Sequence, residues 1–336
     1  MSEGNAEDVR SGTPGPPARE SKAHAYDPPA YEHLHQHGRR ASTHLLESHP
    51  DDIPGFDVAE MNLICAYGLP GTEDMDIAAM LRLLDSWAKR VWVFTRQHMS
   101  LYESGQSGFN SLAEFRIASM LHVVTKEFRV SYNPERLDDP DNFDDPADSF
   151  IHGILGPRRM GTCASLPVLF TAIGRRLRYP LYLVEAPGHL FYRWDTLEGR
   201  FNIEFHEQGL NIHPVEHYRQ WPFPWPSELI EREAHTPTYL ISLTAQQELA
   251  LCAGMRAQFL GDMPARRTEA ARTMRIAYNL WPAHRYGVWL NHLLTKARFP
   301  DRDFPRLPCE ETAGVAVLRQ AAAQGLLEPG AAIPPQ

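Results

Sequence analysis

Cysteine is scarce in this sequence, long hydrophobic runs are missing, and positive charge is not in excess. The four cysteines, at positions 65, 163, 252 and 309 of 336, lie far apart and form no Cys-x-x-Cys pair, which argues against a disulfide framework or a zinc ribbon. The longest apolar runs, such as residues 91–94 and 166–170, fall far short of the ~20 residues that a membrane helix needs. We therefore expect a globular protein of a reducing compartment without a membrane-spanning segment.

The charge balance argues against nucleic acid and membranes as partners. The chain has 33 Lys and Arg against 42 Asp and Glu, which gives a formal net charge of −9. Such a chain lacks the broad basic field that attracts nucleic acid or anionic lipid. The N-terminal segment is acidic and rich in Pro and Gly, without the apolar stretch of a secretion signal, so we expect a cytoplasmic protein.

Composition divides the chain into four regions. Residues 1–55 are rich in Pro, Gly, Ser, Glu and His without a helix or strand period, which predicts a disordered tail. We expect a folded core domain over 56–235, a helical segment over 236–322 and a frayed end over 323–336. The Asp- and Pro-rich stretch 133–149 lacks the glycine and the closing glutamate of an EF-hand loop, so we interpret it as an acidic surface loop.

Hydrophobic periodicity predicts several helices and one small sheet. Apolar residues recur at three- and four-residue steps over 75–94, again after the N-cap candidate Ser111, and in a helix that starts near Gly161. Short strand-like runs follow at 181–185, 190–194 and 201–205. A helix followed by an antiparallel sheet is an α+β order. The Pro-rich stretch 218–226 predicts an extended connector.

Beyond residue 244 the pattern becomes helical again. One apolar stripe ends at Gly261-Asp262 and a second ends at Trp281-Pro282. This break-and-return spacing is similar to a tetratricopeptide hairpin, but an independent solenoid needs about three such repeats. We therefore predict a helical cap on the core domain, which can offer a surface to a protein partner.

Cys163 lies at the start of the helix predicted from Gly161, and a thiol at that place has a chemical use. The unpaired N–H groups and positive dipole end of a helix N-terminus favour a thiolate. The same N–H groups, that of Cys163 included, can stabilise an oxyanion that forms on an attacked carbonyl. Cys163 is therefore the candidate nucleophile.

His189 and an acid or amide further along the chain complete a candidate triad. His189 follows a Pro-Gly turn that can aim its imidazole at the thiol as a base. If the hairpin pairs Trp194 with Phe201, His189 lies diagonal to Glu204. Either Glu204 or Asn202, on the same face of the return strand, can then orient the imidazole.

The block GTCASLPVLFTAIGRRLRYPLYLVEAPGHLFYRW, followed by FNIE, resembles the transglutaminase-like cysteine-peptidase superfamily. It is most similar to the SirB1-like branch, in which Gly-x-Cys opens a helix and Pro-Gly-His follows. The resemblance runs from about residue 128 to 218. It implies a papain-like core, in which a helix bearing the cysteine packs on a small antiparallel sheet bearing the histidine and the acid.

The resemblance assigns the family's catalytic cysteine to Cys163 and its histidine to His189. The family's aspartate falls on Glu204, which is one methylene longer, so Asn202 stays an alternative orienting residue. The glutamine that precedes the cysteine in the classical transglutaminases is missing here, and so are their calcium sites. The resemblance therefore implies no calcium dependence.

The leading hypothesis is a cysteine acyl-transfer enzyme with a protein or peptide substrate, which hydrolyses an amide or ester or transfers its acyl group to an amine. The alternative is a catalytically inactive transglutaminase-like module that binds a protein. No cofactor or metal is expected. A zinc site among the loop histidines 206, 213 and 217 is disfavoured, because Pro214 disrupts a helical zinc-binding pair. The pair Arg158-Arg159 can bind a substrate carboxylate, lower the pKa of the thiol, or simply be solvated.

Overall fold

The computed structural model describes residues 46, 57–137, 144–205, 209–304, 307 and 320. Apart from Leu46, the tail predicted over 1–55 lies outside the described residues, and so does the end predicted over 323–336. Cys309 and His206 also fall outside them.

Helices account for most of the described chain. The longer ones are α1 Val58–Ala66, α2 Ile77–Gln97, α3 Leu112–His122, α4 Leu166–Arg176, α5 Ser227–His235, α6 Ala245–Gly261, α7 Arg267–Leu280 and α8 His284–Arg298. The predicted helix over 75–94 is confirmed as α2, and Ser111 caps α3 by accepting the N–H of Glu114 at 3.1 Å. None of the helices in the described ranges has the length and hydrophobicity needed to cross a bilayer.

The strands form two small sheets. They are β1 Ser131–Tyr132, β2 Met160–Gly161, β3 Leu181–Ala186, β4 His189–Asp195, β5 Arg200–Glu204 and β6 Asn211–His213. β3 to β6 pair in chain order as an antiparallel sheet, and β1 pairs with β2 in parallel. Trp194 pairs with Phe201, so the predicted register and the α+β class are both confirmed.

The two faces of the four-stranded sheet pack against different elements. On one face Tyr192 stacks on Phe170 of α4, with ring centroids 5.5 Å apart. On the other face Phe191 stacks on Tyr218 at 3.8 Å. Tyr218 belongs to the 3₁₀ helix Val215–Arg219, so the prediction of an extended connector from residue 218 was wrong at its start.

The C-terminal helices α6, α7 and α8 share one hydrophobic cluster with the rest of the molecule. α6 is joined to α4 by a bidentate ion pair between Arg175 and the fully buried Glu248 (2.8 and 2.6 Å). Gly261, at the end of α6, is a close-approach position, because a Cβ there would lie 2.4 Å from a methyl carbon of Leu293 in α8. The helical region is therefore packed firmly against the α+β core.

Asp148 contradicts the prediction of an acidic surface loop over 133–149. Its side chain is fully buried and accepts hydrogen bonds from Asn133 at 2.9 Å and from Arg136 at 2.7 Å, and it also pairs with Arg158. A buried carboxylate with several donors is a structural anchor, since burial without them would be costly. Residues 138–143 of this stretch lie outside the described residues.

Candidate active site

Cys163 lies in the turn that leads into α4, three residues before the helix begins at Leu166. The turn is fixed by the hydroxyls of Thr162 and Ser165, which both donate to the backbone carbonyl oxygen of Asp148 (2.8 and 2.7 Å). The thiol itself is partly exposed. The buried acidic anchor therefore sets the position of the nucleophile, a link that the sequence pattern did not show.

The helix N-terminus is less open to an oxyanion than the sequence predicts. The N–H of Ala164 bonds to the Thr162 hydroxyl, and the N–H groups of Ser165 and Leu166 bond to the Thr162 carbonyl oxygen. The Cys163 N–H lies within hydrogen-bonding reach of the Tyr132 hydroxyl, which also lies beside the Cys163 thiol. Burial and the nearby thiol raise the pKa of Tyr132, so its hydroxyl stays protonated.

Pairing of β1 with β2 brings Tyr132 to this place, because Tyr132 lies opposite Gly161 in the parallel ladder. Gly161 has no room for a side chain, since a Cβ would lie 2.6 Å from a methyl carbon of Ile154 and 2.7 Å from the Ser165 hydroxyl oxygen. The glycine that precedes the cysteine by two positions is thus required by packing. Sequence reasoning missed Tyr132, because a two-residue strand gives no periodic signal.

His189 opens β4 directly after the turn at Pro187-Gly188, where Gly188 has a φ of 69°. Only glycine adopts such a φ readily, so this residue permits the tight turn. His189 Nε2 donates to Glu204 Oε1 at 2.8 Å, which leaves Nδ1 for the Cys163 thiol. The structure thus brings the predicted nucleophile, base and acid together in that order.

The electrostatics of His189 favour its protonated form. Only 8% of the residue is exposed, and this burial by itself lowers the pKa. The side-chain hydrogen bonds to Cys163 and Glu204, together with the charges of both groups, outweigh burial and raise the pKa of His189 to about 9. An imidazolium beside the thiol is therefore the expected state at neutral pH.

Asn202 does not contact His189. Its side-chain oxygen accepts the Nε–H of the buried Arg193 at 2.7 Å, and its amide donates to the carbonyl oxygen of His213 at 3.0 Å. Of the two orienting residues proposed from the sequence, Glu204 is the one hydrogen-bonded to the imidazole.

The basic pair Arg158-Arg159, which precedes the nucleophile, makes structural contacts. Arg158 forms ion pairs with Asp145 and Asp148. Arg159 lies over the Trp87 ring, with 4.9 Å from its guanidinium carbon to the ring centroid. A substrate-binding or pKa-lowering role for these arginines thus has no support from their contacts.

Aromatic rings on the polar face of the sheet surround the histidine. Trp221 contacts His189 edge-on at 4.5 Å between ring centroids and is 43% exposed. His217 stacks on Trp221 at 5.5 Å and on His213 at 4.1 Å. His213 and His217 thus belong to an aromatic stack, and within the described ranges no three metal-binding side chains cluster as a metal site would require.

The two other described cysteines differ sharply from Cys163. Cys65 and Cys252 are fully buried. Burial raises the pKa of Cys65 to about 12 and that of Cys252 well above its ordinary value. Both thiols stay protonated, so we expect them to react slowly with alkylating agents.

A cavity of about 190 Å³ adjoins the candidate triad. Cys163 and His189 line it from the core side, and residues of α6 and α8 line it from the cap side. The thiol is therefore reached from a space between the α+β core and the C-terminal helices, which the sequence does not indicate.

Residues 78–219 match the family model of the transglutaminase-like superfamily. The matched range includes Cys163, His189 and Glu204, and it ends before α6. No match was found among curated proteins or among solved structures. The α+β part is consistent with a transglutaminase-like core, and the C-terminal region that follows it is helical.

Proposed function

We propose that this protein is a cysteine acyl-transfer enzyme in which Cys163 is the nucleophile, His189 the acid–base group and Glu204 the orienting acid. The observation that carries the proposal is the arrangement of His189, whose Nε2 donates to Glu204 at 2.8 Å while its other side faces the Cys163 thiol. The similarity to a superfamily of largely cysteine-protease-like and acyltransferase enzymes supports it.

The chemistry follows from the protonated histidine. The Cys163 thiolate attacks the carbonyl carbon of an amide or ester, and the electron pair of the C=O bond moves to oxygen. When the oxyanion collapses, the bond to the leaving amine or alcohol breaks and His189 donates its proton to that group. Water then attacks the thioester to release an acid, whereas an amine would give transamidation. We favour hydrolysis, because the sequence shows no feature that would recognise an amine.

The alternative function is an inactive member of the SirB1-like branch that binds a protein, with the tetratricopeptide-like hairpin of α6 and α7 as its docking surface. Its support is the Tyr132 hydroxyl, which occupies the Cys163 N–H that an oxyanion would use. Catalysis requires this hydroxyl to share or release that N–H, whereas a binding module requires no such change.

Alkylation by iodoacetamide across pH 5–9, followed by peptide mass mapping, separates the two functions. An ordinary thiol with a pKa near 8.5 is only about 1% ionised at pH 6.5. We expect Cys163 of the folded protein to react at pH 6.5 roughly 100 times faster than the cysteines of the urea-unfolded protein, which are ordinary thiols. The change His189→Ala should remove this advantage, because the imidazolium that stabilises the thiolate is lost.

The control is Cys163→Ala, which should remove the fast-labelled peptide from the mass map. If Cys163 of the folded wild type reacts at pH 6.5 no faster than the cysteines of the unfolded protein, the acyl-transfer proposal is wrong and the binding module is favoured.

A further inference from the structure

The cavity beside the candidate triad extends as a groove between the core and the helical cap. α6 and its C-cap residue Asp262 contribute the face that starts at Leu251, and α8 contributes the face from Arg285 to Lys296. Each face spans about three helical turns, or ~16 Å. An extended peptide rises about 3.3 Å per residue, so the groove matches four or five residues.

The charged groups of the groove already have partners. Arg285 donates to Glu185 at 2.5 Å, and Lys296 donates to Asp262 at 2.8 Å. Each cation is thus compensated by a carboxylate within the groove. A charged ligand side chain would therefore be buried without a free counter-charge, which is unfavourable.

His292 provides a neutral polar group inside the groove. The residue is only 3% exposed, and its ring contacts Trp289 edge-on, with 5.8 Å between ring centroids. Burial and the nearby Lys296 lower the pKa of His292 to about 3, so the ring is uncharged at neutral pH. A neutral imidazole offers one donor and one acceptor, which are the groups that a peptide C=O and N–H require.

Apolar side chains supply most of the remaining wall. Met255 of α6 and Trp289 of α8 both line the groove and are partly exposed. Leu251 and Phe259 lie on the same face of α6, and Val288 and Leu293 lie beside Trp289 on α8. Burying an apolar ligand side chain against such a wall should strengthen binding by about 10-fold or more.

We propose that this groove binds an uncharged, apolar peptide segment of the substrate and presents the neighbouring carbonyl to Cys163. The inference rests on the proposed function for the chemistry, whereas the binding of the segment is independent of it. The helical cap is thereby a specificity element of the active site.

Three acetyl-dipeptide chloromethyl ketones test the proposal, with leucyl-leucyl, glutamyl-glutamyl and lysyl-lysyl side chains. In each reaction the Cys163 sulfur forms a bond to the methylene carbon and chloride leaves. Rate constants are divided by the iodoacetamide rate constant of the same protein, which removes differences in thiol reactivity. We expect the leucyl probe to react at least 10 times faster than either charged probe, as the burial of one side chain predicts.

Variants of the wall localise the preference. Met255→Glu and Trp289→Ala should each reduce the normalised leucyl rate by about 10-fold, while Met255→Leu should keep it. Trp92→Ala is the matched control, because Trp92 is a partly exposed tryptophan of α2 outside the groove, and it should leave both rates unchanged. Equal normalised rates for the three probes, or a leucyl preference that survives both wall changes, would overturn the proposal.

A second measurement tests peptide binding in the groove independently of the reactivity of Cys163. Titration calorimetry of acetyl-leucyl-leucinamide and acetyl-glutamyl-glutamamide with the Cys163→Ala variant measures binding without a thiol. Binding of the leucyl amide alone supports the groove even if iodoacetamide labelling contradicts the acyl-transfer function. Fast labelling of Cys163 without selective binding would support the acyl-transfer function and contradict the groove.

Discussion

The two faces of the four-stranded sheet carry different kinds of residues. The face towards α4 is apolar, with Leu183, Tyr192 and Ile203 fully buried. The opposite face carries His189, Arg193, Asn202 and Glu204 beneath Tyr218 and Trp221, beside a small buried apolar cluster of Val184, Ala186 and Phe191. Alternation of side chains along a strand is what lets one sheet supply both faces.

The difference separates the source of stability from the source of chemistry. Apolar burial on the α4 face contributes free energy of folding in proportion to area. The polar face instead holds groups whose pKa values depend on their neighbours, and such groups are typical of functional sites. Substitutions on the two faces should therefore affect different measurements, and the predictions below test this.

The largest effect is expected for Glu204→Gln. Without the carboxylate charge the pKa of His189 falls and the imidazolium that supports the thiolate is lost. We expect the iodoacetamide rate constant of Cys163 at pH 6.5 to fall by about 100-fold, with circular dichroism showing a folded protein. Glu204→Asp keeps the charge and should lose less. A rate constant unchanged by Glu204→Gln would contradict a role of the Glu204 carboxylate in activating Cys163.

Leu183→Ala tests the apolar face. Leu183 is fully buried, so its truncation leaves a cavity and should lower the free energy of unfolding by about 2–5 kcal/mol in urea denaturation. The labelling rate of Cys163 in the folded protein should stay the same. Its neighbour Tyr182 on the opposite face is 36% exposed, and Tyr182→Ala should cost under about 1 kcal/mol. Similar losses for the two changes would contradict the assignment of the faces.

Much of this arrangement follows from local patterns in the sequence. The strands were predictable because apolar runs alternate with turn residues, and the pairing of Trp194 with Phe201 then placed Glu204 near His189. The Gly-x-Cys and Pro-Gly-His spacing predicted the nucleophile and the base. In the structure the first of these glycines is required by packing and the second by its positive φ.

The parts that sequence reasoning missed depend on long-range contacts. Asp148 was assigned to a surface loop, because composition alone cannot show that Arg136 and Arg158 converge on it. Tyr132 lies in a two-residue strand, and β6 is only three residues long. α8 was not identified as a separate helix, and its face in the groove becomes meaningful only once α6 packs beside it.

His189 should affect both thiol reactivity and the free energy of unfolding. Because its pKa is raised to about 9 in the folded protein, its contribution to stability is fully present below its unfolded pKa of about 6.5. That contribution is lost as the pH rises through about 9. In the Cys163→Ala background, where no thiol titrates beside the imidazole, we expect the unfolding free energy relative to the Cys163→Ala/His189→Gln double variant to decrease as the pH rises from 6 to 10. A difference that is constant with pH would show that the imidazole is not protonated in the fold.

The smallest effect is expected for Tyr132→Phe, which removes one hydroxyl beside the Cys163 thiol and N–H. A single hydrogen bond to a charged group contributes about 1.5–3 kcal/mol, and sharing the hydroxyl between thiol and N–H reduces the part that stabilises the thiolate. We expect the iodoacetamide rate constant of Cys163 at pH 6.5 to change by about 10-fold or less. The direction of the change is informative. A decrease means that the hydroxyl stabilises the thiolate, whereas an increase means that it shields the sulfur and holds the N–H needed by an oxyanion. No change at all would contradict a contact between Tyr132 and the nucleophile.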